Sequence, residues 1–161
     1  MYMIQMVRID DRLVHGQVAY SWKAFLKYQA IVIADDDVCN DTFRKPVIKM
    51  AVPQGVKVAI KSISDAALLL QNPKLADIKV FVVVSSAKSA YELYKLLETK
   101  PVLNLGGSMH KEEAKEFSKA VYLTPEEVNF LDLLYKENVD IDVRQTPAEQ
   151  SQDYKTLRSK F

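Results

Sequence analysis

One cysteine, two histidines and four glycines are all that this chain of 161 residues holds of those types. A lone Cys39 excludes an internal disulfide and a cysteine-based zinc site. Two histidines, His15 and His110, with no ligand cluster around them, point away from a metal centre. With so few glycines there is neither a P-loop nor a dinucleotide fingerprint, the two common cradles for a nucleotide. No apolar run reaches the about 18 to 20 residues of a membrane span. The N-terminus lacks the basic, apolar and small-residue order of a signal peptide, so a cytoplasmic protein is expected. A surplus of one charge is missing too. Lys+Arg number 22 against 21 for Asp+Glu, which gives no basic field for nucleic acid.

What is present describes a folded α/β chain. Hydrophobic residues are 48% and charged residues 27%, the balance of a globular protein rather than a disordered one. The length suits one core and one domain, 1–161. No repeat, low-complexity tract or linker interrupts it. Strands are predicted at 3–9, 30–34, 56–60, 80–84, 101–105, 119–123 and 139–143. The fourth, Val80-Phe81-Val82-Val83-Val84, is the most apolar and belongs at the centre of a sheet covered on both faces.

Helices are predicted between the strands. The first runs from Gly16 to about Tyr28 and buries Val18, Trp22, Phe25 and Leu26. The second starts at Asp35–Asp37 and packs Phe43, Val47, Ile48 and Met50. A third is capped by Ser62 and closed by Pro73. A fourth spans about 88–98, with Ser89 and Glu92 spaced as a capping box. A fifth starts at Thr124-Pro125-Glu126-Glu127, with a Thr cap, Pro at the first position and Glu three after the cap. A short helix is expected in the polar C-terminal stretch. Alternation of this kind implies an α/β fold with a single, mostly parallel central sheet of about six to seven strands and helices on both faces. Gly106-Gly107-Ser108 is read as a turn.

The chain is organised around Arg8–Val18. This stretch leaves a strand through Arg8, Asp10, Asp11 and Arg12, then presents His15 and Gly16 at a helix start. Ligands of parallel sheets sit beyond the carboxyl ends of strands. His15, Asp35–Asp37, Ser85-Ser86 and Gly106-Gly107 all fall at those ends. A helix N-terminus attracts anions through its unpaired N–H groups, and a guanidinium matches phosphate geometry. Imidazole ordinarily titrates at about 6.5, so it is a nucleophile near neutral pH. The loop suits a phosphoryl group carried on His15. The plainer alternative is a histidine that only caps or hydrogen-bonds.

The run Arg8–Val18, RIDDRLVHGQV, resembles the active-site loop of the IIB components of the mannose/fructose/sorbose family of bacterial phosphoenolpyruvate-dependent sugar phosphotransferase systems (PTS). Ile33–Val38 with Asp41–Lys45, Pro53–Val58 and Asn104–Gly107 resemble further family segments in the same order, so the likeness covers nearly the whole chain. It implies a phosphohistidine–sugar phosphotransferase. His15 takes a phosphoryl group through Nδ1 from a IIA component. It passes the group to a sugar as the membrane components IIC and IID import it. Such a protein is cytoplasmic and peripherally associated with the membrane transporter. Arg12 matches the family arginine on the phosphoryl group and Arg44 a second one, while backbone N–H groups at His15 and Gly16 add donors. No cofactor and no metal are implied. A homodimer is compatible with apolar edges. Fructose, mannose, sorbose and N-acetylgalactosamine systems all fit, because specificity resides in the membrane components.

For the supporting residues two uses stand open. Asp10 and Asp11 cannot favour a phosphate by charge, and either hold Arg12 and the loop or are purely structural. Asp36 matches a family aspartate or caps its helix. Ser85 and Ser86 reach the phosphate or cap a helix. Trp22 is a packing residue, His110 a solvated loop residue and Cys39 inert. One departure stands out. Ser108 separates the glycine pair from Met109, and the following 111–116 stretch is highly charged, which leaves the identity of the partner open. Two rivals remain. A histidine phosphatase or mutase would carry Arg directly before His-Gly, where Val14 stands, and would need His110 as its second histidine. A non-catalytic module would bind an anion without covalent change.

Overall fold

A computed structural model describes residues 3–161. Among the described residues, nine strands and six α-helices follow one another as β1 (Ile4–Asp10), α1 (Gly16–Leu26), β2 (Ala30–Ala34), α2 (Arg44–Ala51), β3 (Lys57–Lys61), α3 (Ile63–Leu70), β4 (Val80–Val84), α4 (Ala87–Leu96), β5 (Leu103–Gly107), β6 (Lys115–Ser118), β7 (Val121–Leu123), α5 (Pro125–Lys136), β8 (Ile141–Val143), β9 (Gln152–Asp153) and α6 (Tyr154–Lys160). Seven strands form one sheet in the order β3-β2-β4-β1-β5-β8-β9, parallel except for β9. The expected α/β class and parallel sheet are therefore observed, with β4 inside the sheet between β2 and β1.

Side chains alternate across the sheet because successive residues of a strand point to opposite faces. Met6, Ile31, Ile33, Phe81 and Val83 meet α1 and α2 through Ala19, Trp22 and Ile48. Val7, Ile9, Val32, Val82 and Leu105 meet α3, α4 and α5 through Ala66, Leu93 and Leu131. The second face also holds Phe117, Val121 and Tyr154, so the β6–β7 ribbon and α6 pack there. From β1 the chain crosses to β2 on one side, and from β5 it proceeds to β8 on the other. The crevice beyond the carboxyl ends of β1 and β5 is thus a topological switch point, the usual place for a ligand.

Several expectations need correction. Asp35–Asp37 do not open α2. Asp35 Oδ1 instead accepts the N–H groups of Asp37 and Val38 at 3.0 and 2.8 Å, forming a 3-10 turn at Val38–Asn40. Asp41 Oδ1 accepts the N–H of Arg44 at 3.0 Å, so α2 begins nine residues after Asp35. Its apolar side chains point outward: Phe43, Val47 and Met50 are exposed and only Ile48 is buried. Phe25 is likewise exposed, whereas Trp22 is fully buried. Pro73 opens a separate 3-10 turn rather than closing α3. Helix α4 starts earlier than expected, and Ser86, not Ser89, caps it by accepting the Ser89 N–H at 3.1 Å. Gly106 and Gly107 lie in β5 and make no turn. Val121–Leu123 pairs antiparallel with β6, outside the main sheet. The Ser62 cap and the Thr124–Glu127 capping box are as predicted.

Candidate active site

Strand β1 places a charged pair where a parallel strand is normally apolar. Arg8 and Asp10 are 1% and 2% exposed and share the face that carries Met6. A charge there is tolerated only when it is paired and fully hydrogen-bonded. Arg8 donates to Asp10 Oδ2 from Nη2 at 2.9 Å and from Nε at 3.3 Å. Its Nη1 donates to Asn104 Oδ1 and to the Gln145 carbonyl, both at 2.8 Å. Asn104, fully buried in β5, donates from Nδ2 to Asp142 Oδ2 and to the Arg144 carbonyl, both at 3.0 Å. Among the described residues no buried side-chain polar atom is left without a partner.

The same Asp10 oxygen takes His15. Oδ2 lies 2.7 Å from Nε2, while Oδ1 accepts the Arg12 N–H at 3.0 Å. Burial pushes the Asp10 carboxyl up, but the His15 hydrogen bond and the Arg8 guanidinium outweigh it and hold the pKa below its ordinary value. Burial also pulls Arg8 down, partly offset by Asp10. An ionised carboxylate only accepts, so Nε2 carries the proton and donates. In the neutral ring the imidazole lone pair then sits on Nδ1, which makes no hydrogen bond among the described residues.

The loop between β1 and α1 is bent to present that ring. Leu13 is buried at φ 61°, a left-handed conformation rarely adopted by a leucine, and its N–H closes a turn onto the Asp10 carbonyl at 2.9 Å. His15 occupies the N-cap position of α1, but its side chain makes no capping bond. Of the plainer alternative, the capping use is therefore not observed, whereas the hydrogen-bonded use is, through Asp10. No acidic residue stands in the first turn of α1, so no carboxylate of that turn offsets the partial positive charge of the helix N-terminus. Gly16 follows at φ +32°.

A cleft of about 550 Å³ opens beside the ring, lined by Arg12, Val14, His15, Gly16, Phe43, Arg44, Val47, Ile48 and Ala51. Both arginines are exposed, and neither forms an ion pair among the described residues. No carboxylate lines the cleft. Two guanidiniums, a helix N-terminus and an imidazole lone pair together suit a phosphoryl dianion.

The other predicted site residues fall elsewhere. Asp11 Oδ2 accepts the Met109 N–H at 2.7 Å and so ties the β5–β6 connection to the loop. Asp36 Oδ1 accepts the Ile63 N–H at 2.9 Å, which caps α3 rather than its own turn. Ser85 and Ser86 do not line the cleft, and Ser86 is the α4 cap. His110 packs edge-on against Tyr122, away from the cleft lining, so the second histidine of the phosphatase reading is not beside the first. Trp22 donates to the Gln145 carbonyl at 3.1 Å as part of the packing. Arg8 and Asn104 join the site only through the fold, and the sequence does not mark them as site residues. The available signal was a charge alternating with apolar residues in a strand buried on both faces.

Among the described residues, no helix is long and apolar enough to cross a membrane and no cluster of His, Cys, Asp and Glu could hold a metal ion. The family profile of the PTS system sorbose subfamily IIB component matches residues 4–160. The sorbose-specific EIIB component of Klebsiella pneumoniae is 33% identical, over 92% of this chain and 90% of that one. The solved IIB domain of the sorbose permease of the same organism superposes with a TM-score of 0.92 at 31% identity, covering 98% of this chain and 97% of that one. The mannose-specific EIIAB component of Escherichia coli (strain K12) is 25% identical over 98% of this chain and 49% of that longer protein. The chain belongs to the sorbose subfamily of PTS IIB components, the sugar phosphotransferases that act as phosphocarriers in sugar uptake.

Proposed function

We propose that His15 is the phosphorylated residue and that Nδ1 is the attacking atom. The donor is a phosphohistidine on a IIA component. As the Nδ1–P bond forms, the P–N bond of the donor breaks and its electron pair returns to the donor imidazole. The His15 ring becomes cationic in this step, and Asp10 accepts the hydrogen bond of its Nε2–H throughout. The ring therefore never has to gain or lose a proton during transfer. Asp10 also stabilises the cation, as a carboxylate orients and supports a catalytic imidazole elsewhere. A cationic phosphoimidazole is a good leaving group: in the second step the sugar oxygen bonds to phosphorus, the Nδ1–P bond breaks with its electron pair returning to Nδ1, and the hydroxyl proton passes to solvent water.

Phosphoryl transfer relies on position and charge more than on covalent machinery. Arg12 and Arg44 would bind the phosphoryl oxygens from the cleft wall, with the Gly16 N–H beside them. The sugar is presented by IIC and IID at the cytoplasmic face of the membrane. The observation that carries this reading is a ring engaged at Nε2 that lines one cleft with two guanidiniums, neither of which forms an ion pair among the described residues.

Incubation with phosphoenolpyruvate, the general PTS proteins and a IIA component should label wild type with acid-labile, base-stable phosphate, and His15→Gln should take up none. Equal labelling of the variant, or no labelling of wild type by several IIA partners, would overturn the proposal. Arg12→Ala should slow transfer by about 10²–10³-fold. Its thermal unfolding should be unchanged, because the Arg12 side chain is exposed and makes no hydrogen bond among the described residues. Stopped-flow transfer beside a melting curve checks both.

A further inference from the structure

We infer that Arg8 and Asn104 are positioning residues for the phosphotransfer, holding Asp10 so that the His15 ring is locked at Nε2 and only Nδ1 can react. The inference rests on the reading of His15 as the nucleophile, but it concerns buried residues that do not line the cleft.

Asp10 alone would not lock the ring. A carboxylate on one flexible bond can rotate, and it can offer either oxygen to the imidazole. Here both oxygens are committed. Oδ1 is held by the Arg12 N–H, and Oδ2 by two guanidinium nitrogens of Arg8 together with His15. The guanidinium is planar, so fixing its far nitrogen fixes the near pair as well. Nη1 is fixed by two acceptors from distant parts of the chain, Asn104 Oδ1 and the Gln145 carbonyl, each at 2.8 Å. Asn104 is anchored in turn by Asp142 Oδ2 and the Arg144 carbonyl. Asp142 Oδ2 also accepts Arg144 Nε at 3.1 Å, and Ser151 donates to its other oxygen. A continuous set of bonds thus runs from the β8–β9 connection through β5 and β1 to the imidazole.

The Gln145 carbonyl has a second donor, the Trp22 indole, at 3.1 Å. The Arg8 guanidinium lies 5.9 Å from the centre of the Trp22 ring, so α1 closes over the same group. The helix that begins at His15 and the carboxylate that aims its ring are therefore held by one buried cation. A lysine could neutralise Asp10 but could not span Asp10, Asn104 and Gln145 at once, because its charge is a single point.

The tests are Arg8→Lys and Asn104→Leu. Phosphoramidate, a small-molecule phosphodonor, supplies the phosphoryl group without any docking partner, and NMR reads the ring nitrogens. Wild type should show the Nε2–H tautomer and phosphorylate at Nδ1. Both variants should lose that selectivity, with Nε2-phosphohistidine appearing and the Nδ1 rate falling about 10–100-fold, the scale of a misplaced reacting group. Variants that melt lower but keep the tautomer and the Nδ1 product would make Arg8 and Asn104 merely structural and overturn the inference. An Nδ1–H tautomer in wild type would overturn it even if neither variant folds. Failure of wild-type His15 to accept phosphate would instead count against its role as carrier, while the tautomer measurement would still decide the positioning.

Discussion

Asp10→Asn should slow phosphoryl transfer by about 10⁴-fold, the scale seen when a carboxylate that orients a catalytic histidine becomes an amide. It should also cost about 3–5 kcal/mol of stability, as breaking one side of a buried ion pair does. Asparagine has one acceptor oxygen where aspartate has two. Placed at the Oδ2 position, that oxygen satisfies Arg8 and His15 but turns the amide N–H₂ against the Arg12 N–H. Placed at Oδ1, it turns the N–H₂ against the guanidinium and against Nε2. The clash with Nε2 is relieved if the histidine proton moves to Nδ1, which removes the lone pair from the reacting atom, while the clash with the guanidinium remains. In either case Arg8, 1% exposed, loses its counter-charge.

Urea denaturation beside rapid-quench transfer from a phosphorylated IIA separates the two effects, and unchanged values in both would remove Asp10 from the mechanism. The same pair has a pH signature. The folded-state carboxyl titrates below its ordinary 3.8, so the unfolded chain takes up this proton first as the pH falls. The contribution is complete above 3.8 and is lost as the pH falls below it toward the folded-state value. The stability gap between wild type and Asp10→Asn should therefore hold above the ordinary carboxyl pKa of 3.8 and narrow as the pH falls below it.

Gly106→Ala is the second large effect, and its sign runs against the usual one. Replacing a strand glycine by alanine ordinarily stabilises by about 0.4–1 kcal/mol where the backbone allows it. At Gly106 a Cβ would lie 2.2 Å from both Cζ and Nη1 of Arg8. A long side chain can often move aside, but this one is held by Asp10, Asn104 and Gln145 and covered by Trp22. The methyl group must push the guanidinium off its acceptors, so a loss of about 3–5 kcal/mol is expected. Chemical denaturation measures it. The double variant Arg8→Met/Gly106→Ala should lose clearly less than the sum of the two single losses, because the methyl group would no longer meet the guanidinium. Additive losses, or a stabilised Gly106→Ala, would contradict the packing of Arg8 against β5.

Much of the fold followed from patterns that act locally. Val80–Val84 is apolar at every position, and only an inner strand of a doubly covered sheet accepts that pattern. Thr124, Pro125 and Glu127 start α5 through bonds among four consecutive residues. His15 at the end of β1 follows from the order of strand, loop and helix. Errors arose where burial depends on distant neighbours. Phe43, Val47 and Met50 have the composition of a packed face, yet among the described residues they stay exposed. Gly106 resembled a turn because its true constraint is a side chain 98 positions earlier, brought over it by sheet register.

By itself the sequence determined the α/β class, the loop that presents His15 and the grouping of that histidine with nearby cations, since these depend on residue type and short spacing. Only the tertiary structure decided which ring nitrogen is engaged and why Asp10 can be buried and charged. Those properties depend on groups from β1, β5 and the β8–β9 connection meeting within hydrogen-bond distance. No spacing along the chain encodes a contact across 137 residues, such as that of Arg8 with Gln145. Folding creates it by setting β1 beside β5 and β5 beside β8, and the chemistry of His15 depends on that order.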